Sequence, residues 1–416
     1  MIKINTLKSG IRLVTEYIPY VQSVAMGVWV KAGSVDEVPE YAGISHYIEH
    51  MMFKGTKERT PKQIAGDIDK IGGQINAFTG KEATCYYVKA INSNYHKAAD
   101  VIIDMLTESL FAQEEMDRER QVICEEIKMT LDTPDDLAHE TITSMIFDGA
   151  SLGNSILGTP ETLMNINHKE MADHVEEQYT RDSMVISVCG NFDEEELINY
   201  FDDKFMSLRE SKSARVLKEA EYRPQFKCIK KEIEQTHICL ATKAVSLTDP
   251  DYYALSIMSN IMGGSMSSRL FQNVREQKGL AYSVYSMLGP FSDDGYFNIY
   301  AGVSHDKIEE AVKAIIEELE ILDNEGVTEE ELESSREQIK ASYVFGQENV
   351  TGRMFKNGKN LLLSDRVFEA EDVIEEFNKV TAEDINRVKS YICDTDRYSG
   401  VVVSGKEADI EKILRG

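Results

Sequence analysis

Positive charge is scarce in this chain: 45 lysines and arginines stand against 72 aspartates and glutamates in 416 residues, a formal net charge of −27. Nucleic-acid binding needs lysine and arginine concentrated against phosphate, so this balance argues against a DNA or RNA partner. It allows long-range attraction of cationic partners, although the same acidity also serves to keep a large protein dissolved. Cysteine is scarce too. Cys85, Cys124, Cys189, Cys228, Cys239 and Cys393 lie far apart without a C-x-x-C pair. That excludes a disulfide frame or a cysteine metal site and fits a reducing compartment, the cytoplasm. Long apolar runs are missing, so no membrane span of about 20 residues is expected. The opening MIKINTLKSGIRLVTE has neither the apolar core nor the small-residue cleavage site of a secretion signal.

What is present is a globular composition, 42% hydrophobic, on a chain too long for one ordinary core, so two domains or a duplicated pair is expected. Internal comparison favours duplication. PEYAGISHYIEHMMF (39–53) lies without gaps on PDYYALSIMSNIMGG (250–264), sharing Pro39/Pro250, Tyr41/Tyr252, Ser45/Ser256 and Met51/Met262. FAQEEMDRERQVI, from Phe111, matches VTEEELESSREQI, from Val327, each behind a helical stretch that begins near a histidine. INHKEMADHVEEQY then MVISVCG matches VTAEDINRVKSYI then YSGVVVSG. Three matches in one order predict two homologous α+β halves, residues 1–208 and 225–416, with the charged stretch 209–224 as the joint. Each half should form a mainly antiparallel sheet with amphipathic helices packed on one face.

The duplication doubles as an internal control. His46, Glu49 and His50 align with Ile257, Asn260 and Ile261, so the fold accepts apolar residues where the first copy has two histidines. A polar trio at such positions needs a chemical reason. His46 and His50, four apart, project from one helix face within reach of one ion, and imidazole nitrogen suits zinc. Glu49 stands beside them as a candidate base for a water whose pKa zinc lowers to about 7. The order His-x-x-Glu-His is the inverted form of the HExxH zinc motif. A third, carboxylate ligand is expected on another helix, with Glu119, Glu125 and Glu126 as candidates. Glu119 and Glu126 are seven apart and share a face, whereas Glu125 points elsewhere. Their counterparts in the second copy are Ser335 and Ser342, so carboxylates and histidines vanish together; the bland alternative is that they solvate a helix surface.

GISHYIEHMMFKGT, preceded by Gly33, resembles the zinc signature of the pitrilysin/insulinase family, and the length and duplicated halves resemble its mitochondrial-processing-peptidase branch. The resemblance spans essentially the whole chain. It implies one zinc per chain held by His46, His50 and Glu126, with Glu49 activating water and Glu119 supporting catalysis. Arg275 and Tyr282, in REQKGLAY, resemble the arginine–tyrosine pair by which the non-zinc half holds the substrate backbone and helps stabilise the oxyanion; the alternative is a surface charge and a core aromatic. Asn76 and Ala77, in GGQINAFT, resemble the edge strand on which substrates lie extended; a plain hairpin explains the glycines equally well. Asp136 and Glu140, in DTPDDLAHE, match acidic positions that receive a substrate arginine, so a basic peptide is a plausible substrate. His139 beside them reads as a solvated helix residue. GGSMSSRLF (263–271) is shorter than the glycine-rich loop of the non-catalytic processing subunit.

The resemblance therefore implies a zinc endopeptidase acting on peptides or unfolded segments in a chamber between the halves, often as a homodimer. A non-catalytic scaffold or partner subunit is the alternative, set against the intact ligand set. A metal-storage or sensor protein would have no use for Glu49, Arg275 and Tyr282.

Overall fold

The computed structural model describes residues 2–212, 217–218 and 221–415; residues 213–216 and 219–220 of the expected joint lie outside the described residues. Eleven described strands form two sheets. The first contains β1 (Ile2–Thr6), β2 (Arg12–Tyr17), β3 (Ser23–Val30), β4 (Gln74–Thr79), β5 (Thr84–Ile91) and β6 (Met184–Gly190), in the order β1-β2-β6-β3-β5-β4. The second contains β7 (Phe226–Lys230), β8 (Thr236–Ala244), β9 (Ala281–Pro290), β10 (Gly295–Val303) and β11 (Ser399–Ser404), in the order β7-β11-β8-β10-β9. With β1 set aside, the orders are the same strand for strand. In each sheet one pair is parallel, β2 with β6 and β7 with β11, and the remaining pairs are antiparallel. The duplication read from weak sequence matches is thus a duplication of topology.

The helices that matter for the site are α1 (Ile44–Met52), α2 (Pro61–Lys70), α3 (Tyr95–Glu108), α4 (Gln113–Asp132), α5 (Pro134–Ile146) and α6 (His168–Gln178). From the second copy come α7 (Tyr252–Gly263), α8 (Ile308–Glu325), α9 (Glu329–Gly346) and α10 (Val350–Ser364). Most helices layer on one sheet face. In the first sheet Tyr47, Ile48 and Met51 of α1 and Ile102 and Met105 of α3 bury with Val28, Val30 and Tyr86 in one apolar cluster. Among the described residues no helix is long and apolar enough to cross a membrane, and all six cysteines are unpaired.

The compact units do not follow the two halves. One is drawn from Met1–Ile127, Asn154–Lys218 and Val344–Glu369, the other from Lys128–Gly153, Glu219–Tyr343 and Ala370–Gly416. Each copy lends the other a helix: α5 packs on β8 and β11, and α10 packs on β3 and β6. The layer on the second face of each sheet is the part that sequence periodicity did not supply. It explains why β3 and β6 read as nearly continuous apolar runs, since strands covered on both faces lose the polar alternation. On that face Val14, Trp29, Cys85 and Val185 meet Leu361 and Leu362, and Ala25 and Cys189 meet Val350 and Met354. The approach is close at a glycine on each side. A Cβ on Gly27 would sit 2.4 Å from Met354 Sδ, and one on Gly358 would sit 2.2 Å from Trp29 Nε1. Buried Glu16 of β2 pins the helix by pairing with Arg353 and accepting from Asn357 Nδ2 at 2.9 Å.

Burying an aliphatic side chain stabilises by about 1.5–3 kcal/mol, so the four α10 residues named above contribute on the scale of a whole domain's stability, about 5–15 kcal/mol. Residues 1–208 expressed alone are therefore expected to aggregate or to bind a hydrophobic dye without cooperative unfolding. Co-expression with residues 221–416 should give a soluble two-fragment protein. A soluble, cooperatively unfolding 1–208 fragment would contradict this role for α10.

Candidate metal centre

Helix α1 begins at a fixed point. Gly43, its N-cap, has φ 93°, a left-handed conformation that favours glycine, and a Cβ there would lie 2.7 Å from Leu157 O. Glu37, buried, takes up the helix's first free N–H groups: Oε2 accepts from Gly43 N at 2.7 Å and Oε1 from Ser45 N at 2.8 Å. Burial pushes the Glu37 carboxyl up to about 7, against these two hydrogen bonds. The apolar side of α1, Ile44, Tyr47, Ile48, Met51 and Met52, is buried. The Tyr47 hydroxyl donates to Met116 O of α4. With that side fixed, His46, Glu49 and His50 face outward together.

Helix α4 completes the set. One ligand atom each from His46, His50 and Glu126 can be chosen so that all lie within 4.8 Å of one another. Glu126 Oε2 is 3.7 Å from His46 Nε2 and 3.5 Å from His50 Nε2. Of the three carboxylates the sequence left open, geometry assigns distinct places. Glu126 joins the histidines, buried Glu119 accepts from His50 Nδ1 at 3.1 Å, and Glu125 is exposed. A carboxylate behind a ligating imidazole fixes its ring and tautomer, leaving Nε2 as the lone-pair donor. Burial, with His50 adding to it, lowers the His46 ring to about 4, so this ring is neutral near pH 7. Two imidazoles and a carboxylate form the donor set of a catalytic zinc site with one position left for water, so the residues present fit the metal.

Two further residues hold this set and were not singled out from sequence. Lys54 Nζ pairs with Glu119 Oε1 at 2.6 Å; it lies four residues after His50, a helical spacing that could have drawn attention to it. Thr79 Oγ1 donates to Glu49 Oε2 at 2.6 Å, and no local pattern announces that. Burial raises the Glu49 carboxyl above the usual carboxylate range, with the Thr79 bond and His50 opposing it. Beside Glu49 and His50 opens a cleft of about 580 Å³, lined by Phe53, Lys54, Pro61, Ile64, Ala65, Ile75, Asn76, Glu119 and Val122. Asn76 and Ala77 lie on β4, an outer strand of its sheet. Ala77 N bonds the Asn76 side chain at 2.9 Å, so this amide is turned away from the ladder with β5.

The remaining expected residues belong to the other compact unit and are described within it. Arg275 sits in a π-helical turn, Phe271–Gln277, a form that is enriched at functional sites. Its guanidinium lies 4.6 Å from the Phe271 ring centroid and 5.7 Å from that of Tyr282. Tyr282 is 76% exposed, which removes its reading as a core aromatic. It is the extra residue of a bulge: Ser283 pairs with Gly302 and Ala281 with Val303, leaving Tyr282 without a partner in the ladder of outer strand β9. Asp136 is exposed and Glu140 half-buried on α5. His139 corrects its reading as a solvated residue. It stacks against Tyr285 and Tyr300 at 18° and 23°, with Nε2 2.9 Å from the Tyr285 hydroxyl, because α5 lies against the sheet. At the counterpart of the metal centre, Ser335 Oγ donates to Asn260 Oδ1 at 2.9 Å, with Ile257 and Ile261 buried. A hydroxyl–amide contact stands where the first copy carries its charges.

His174 of α6, 3.5 Å from Ser45 Oγ at the start of α1, gives a pH prediction. Burial, then Lys212, lowers its ring from 6.5 to about 4. The unfolded chain therefore takes up a proton that the folded chain refuses. This contribution to stability is complete above pH 6.5 and drains away as pH falls towards 4. In urea titrations the stability deficit of His174→Gln relative to wild type should shrink between about pH 7 and about pH 5. A deficit independent of pH would show that the ring titrates alike in both states.

Two family models match successive parts of the chain. Residues 12–160 match the model described as insulinase (peptidase family M16), and residues 165–339 match the peptidase M16 inactive domain. The chain is 41% identical over 404 residues to the uncharacterized zinc protease YmxG of Bacillus subtilis (strain 168), covering 97% of this chain and 98% of that one. It is 37% identical to an uncharacterized zinc protease of Rickettsia bellii, covering 96% and 97%. Among solved structures, a protease from Helicobacter pylori superposes with a TM-score of 0.90 at 22% identity, covering 97% of this chain and 99% of the other. A peptidase M16 inactive domain structure from Pseudomonas fluorescens gives 0.91 at 17% identity, covering 98% of each. At such identities these structures speak for the fold alone.

Proposed function

The chain belongs to the insulinase family, peptidase family M16, and from that premise we propose that it is an active zinc-dependent endopeptidase cutting peptides or unfolded segments. The observation that carries this reading is the convergence of His46, His50 and Glu126 with Glu49 beside them. Zinc held there would polarise the scissile carbonyl and acidify a bound water. Glu49 accepts the proton of the attacking water and passes it to the leaving amine. Glu119, itself held by Lys54, keeps the His50 ring oriented. An extended substrate adds to the open edge of β4 at Asn76 and Ala77. Arg275 and Tyr282 donate to the developing oxyanion, and Asp136 and Glu140 favour a basic residue in the peptide. A cytoplasmic homodimer with one zinc per chain completes the proposal.

A scaffold or partner-subunit role is the competing reading, and the family contains domains described as inactive. The complete ligand set in the first copy weighs against it, since the second copy illustrates how this fold looks once the ligands are gone. Purified protein incubated with a mixed peptide library, with and without a chelator, decides between them. Chelator-sensitive cleavage is expected; intact peptides under every metal condition would favour the scaffold.

A further inference from the structure

We propose that Thr79 is a positioning residue for Glu49, holding one carboxylate oxygen so that the other is presented to the reacting water; this rests on Glu49 being the general base. Glu49 is half-buried on α1 with three side-chain torsions. Left untethered, its carboxylate would spread over several rotamers and lose the geometry that proton transfer needs. The Thr79 hydroxyl donates to Oε2 at 2.6 Å. Among the described residues none bonds the other oxygen.

The hydroxyl is itself fixed by its surroundings. Thr79 is the last residue of β4 and pairs with Thr84, whose buried hydroxyl donates to Ala32 O at 2.9 Å. The turn between them closes through Gly80 N to Ala83 O at 2.8 Å and receives Val35 N on Lys81 O at 3.0 Å. A Cβ on Gly33 would fall 2.4 Å from both Gly80 O and Lys81 O, so the loop after β3 presses directly on this turn. Thr79 also stands on the strand that carries Asn76 and Ala77. A peptide laid along β4 would thus be registered against the base through one rigid strand.

The test uses the full-length zinc-loaded protein as wild type, Thr79→Val, Thr79→Ser and Glu49→Gln. Valine keeps the volume and the strand preference while removing the donor. Thr79→Val should lower kcat about tenfold, the scale of losing a hydrogen bond to a charged group. KM, zinc content and thermal midpoint should not change, and Thr79→Ser should restore kcat to within about twofold. A readout independent of turnover is the crystal structure of zinc-free Thr79→Val, in which the Glu49 carboxylate should occupy more than one rotamer. An inactive Glu49→Gln alongside a fully active Thr79→Val would overturn the role of Thr79 alone. So would a serine variant as impaired as the valine one, or a valine variant that loses zinc or stability. Active Glu49→Gln would instead remove the general-base reading, and this inference with it.

Discussion

Replacing Glu49 by glutamine is expected to abolish peptide hydrolysis while zinc stays bound at about one ion per chain. Glutamine has the same shape and can still accept the Thr79 hydroxyl bond, so α1 and its histidines keep their places. What disappears is the ability to take a proton. General-base catalysis alone contributes about 10²–10⁴-fold, and the same group must return the proton to the leaving amine, so the combined loss should fall below detection in an ordinary peptide assay. Because Glu49 is not a ligand, metal analysis of wild type and variant should agree. The variant is also expected to retain peptides that it cannot cut, which would help identify the natural substrate. Near-normal turnover would mean that another group activates the water, and the proposed mechanism would be lost.

The second large effect is expected from a residue that a motif search for zinc ligands would pass over. Tyr282→Phe should lower kcat by about 10²–10³-fold, the cost of one missing oxyanion donor, with zinc content and thermal stability unchanged. The side chain is 76% exposed in a bulge of an outer strand, beside the Arg275 guanidinium. Removing its hydroxyl therefore leaves no buried group unsatisfied and opens no cavity. A wild-type kcat in this variant would place the second copy outside the chemistry.

The fold was legible in the sequence wherever a signal was local. Helices were expected over the two aligned motif segments and form at Ile44–Met52 and Tyr252–Gly263. The mainly antiparallel sheet expected in each half forms, with TCYYVKAI (β5) and YFNIYAGV (β10) in matching places. The pairing of His46 with His50 follows from helical spacing, and the choice among Glu119, Glu125 and Glu126 narrows by the same rule. What stayed hidden depends on contacts between distant segments. α10 carries an ordinary amphipathic pattern, and nothing in it states that Met354 will lie against Gly27. The nearly continuous apolar runs of β3 and β6 were the available hint that both sheet faces are covered. His139 was misplaced for the same reason, since its environment comes from Tyr285 and Tyr300. Thr79 and Glu37 act on α1 through a hairpin end and a loop, so their roles appear only once the backbone is closed.

The central claim, that His46, His50 and Glu126 together hold a zinc ion, is tested most directly by metal analysis of purified wild type and Glu126→Gln after dialysis against a weak chelator. About one zinc per wild-type chain is expected, because only one copy carries ligands, with the variant losing most of it while its thermal midpoint without metal matches that of the metal-free wild type. Full zinc retention by Glu126→Gln, or a wild type that binds none, would contradict the assignment.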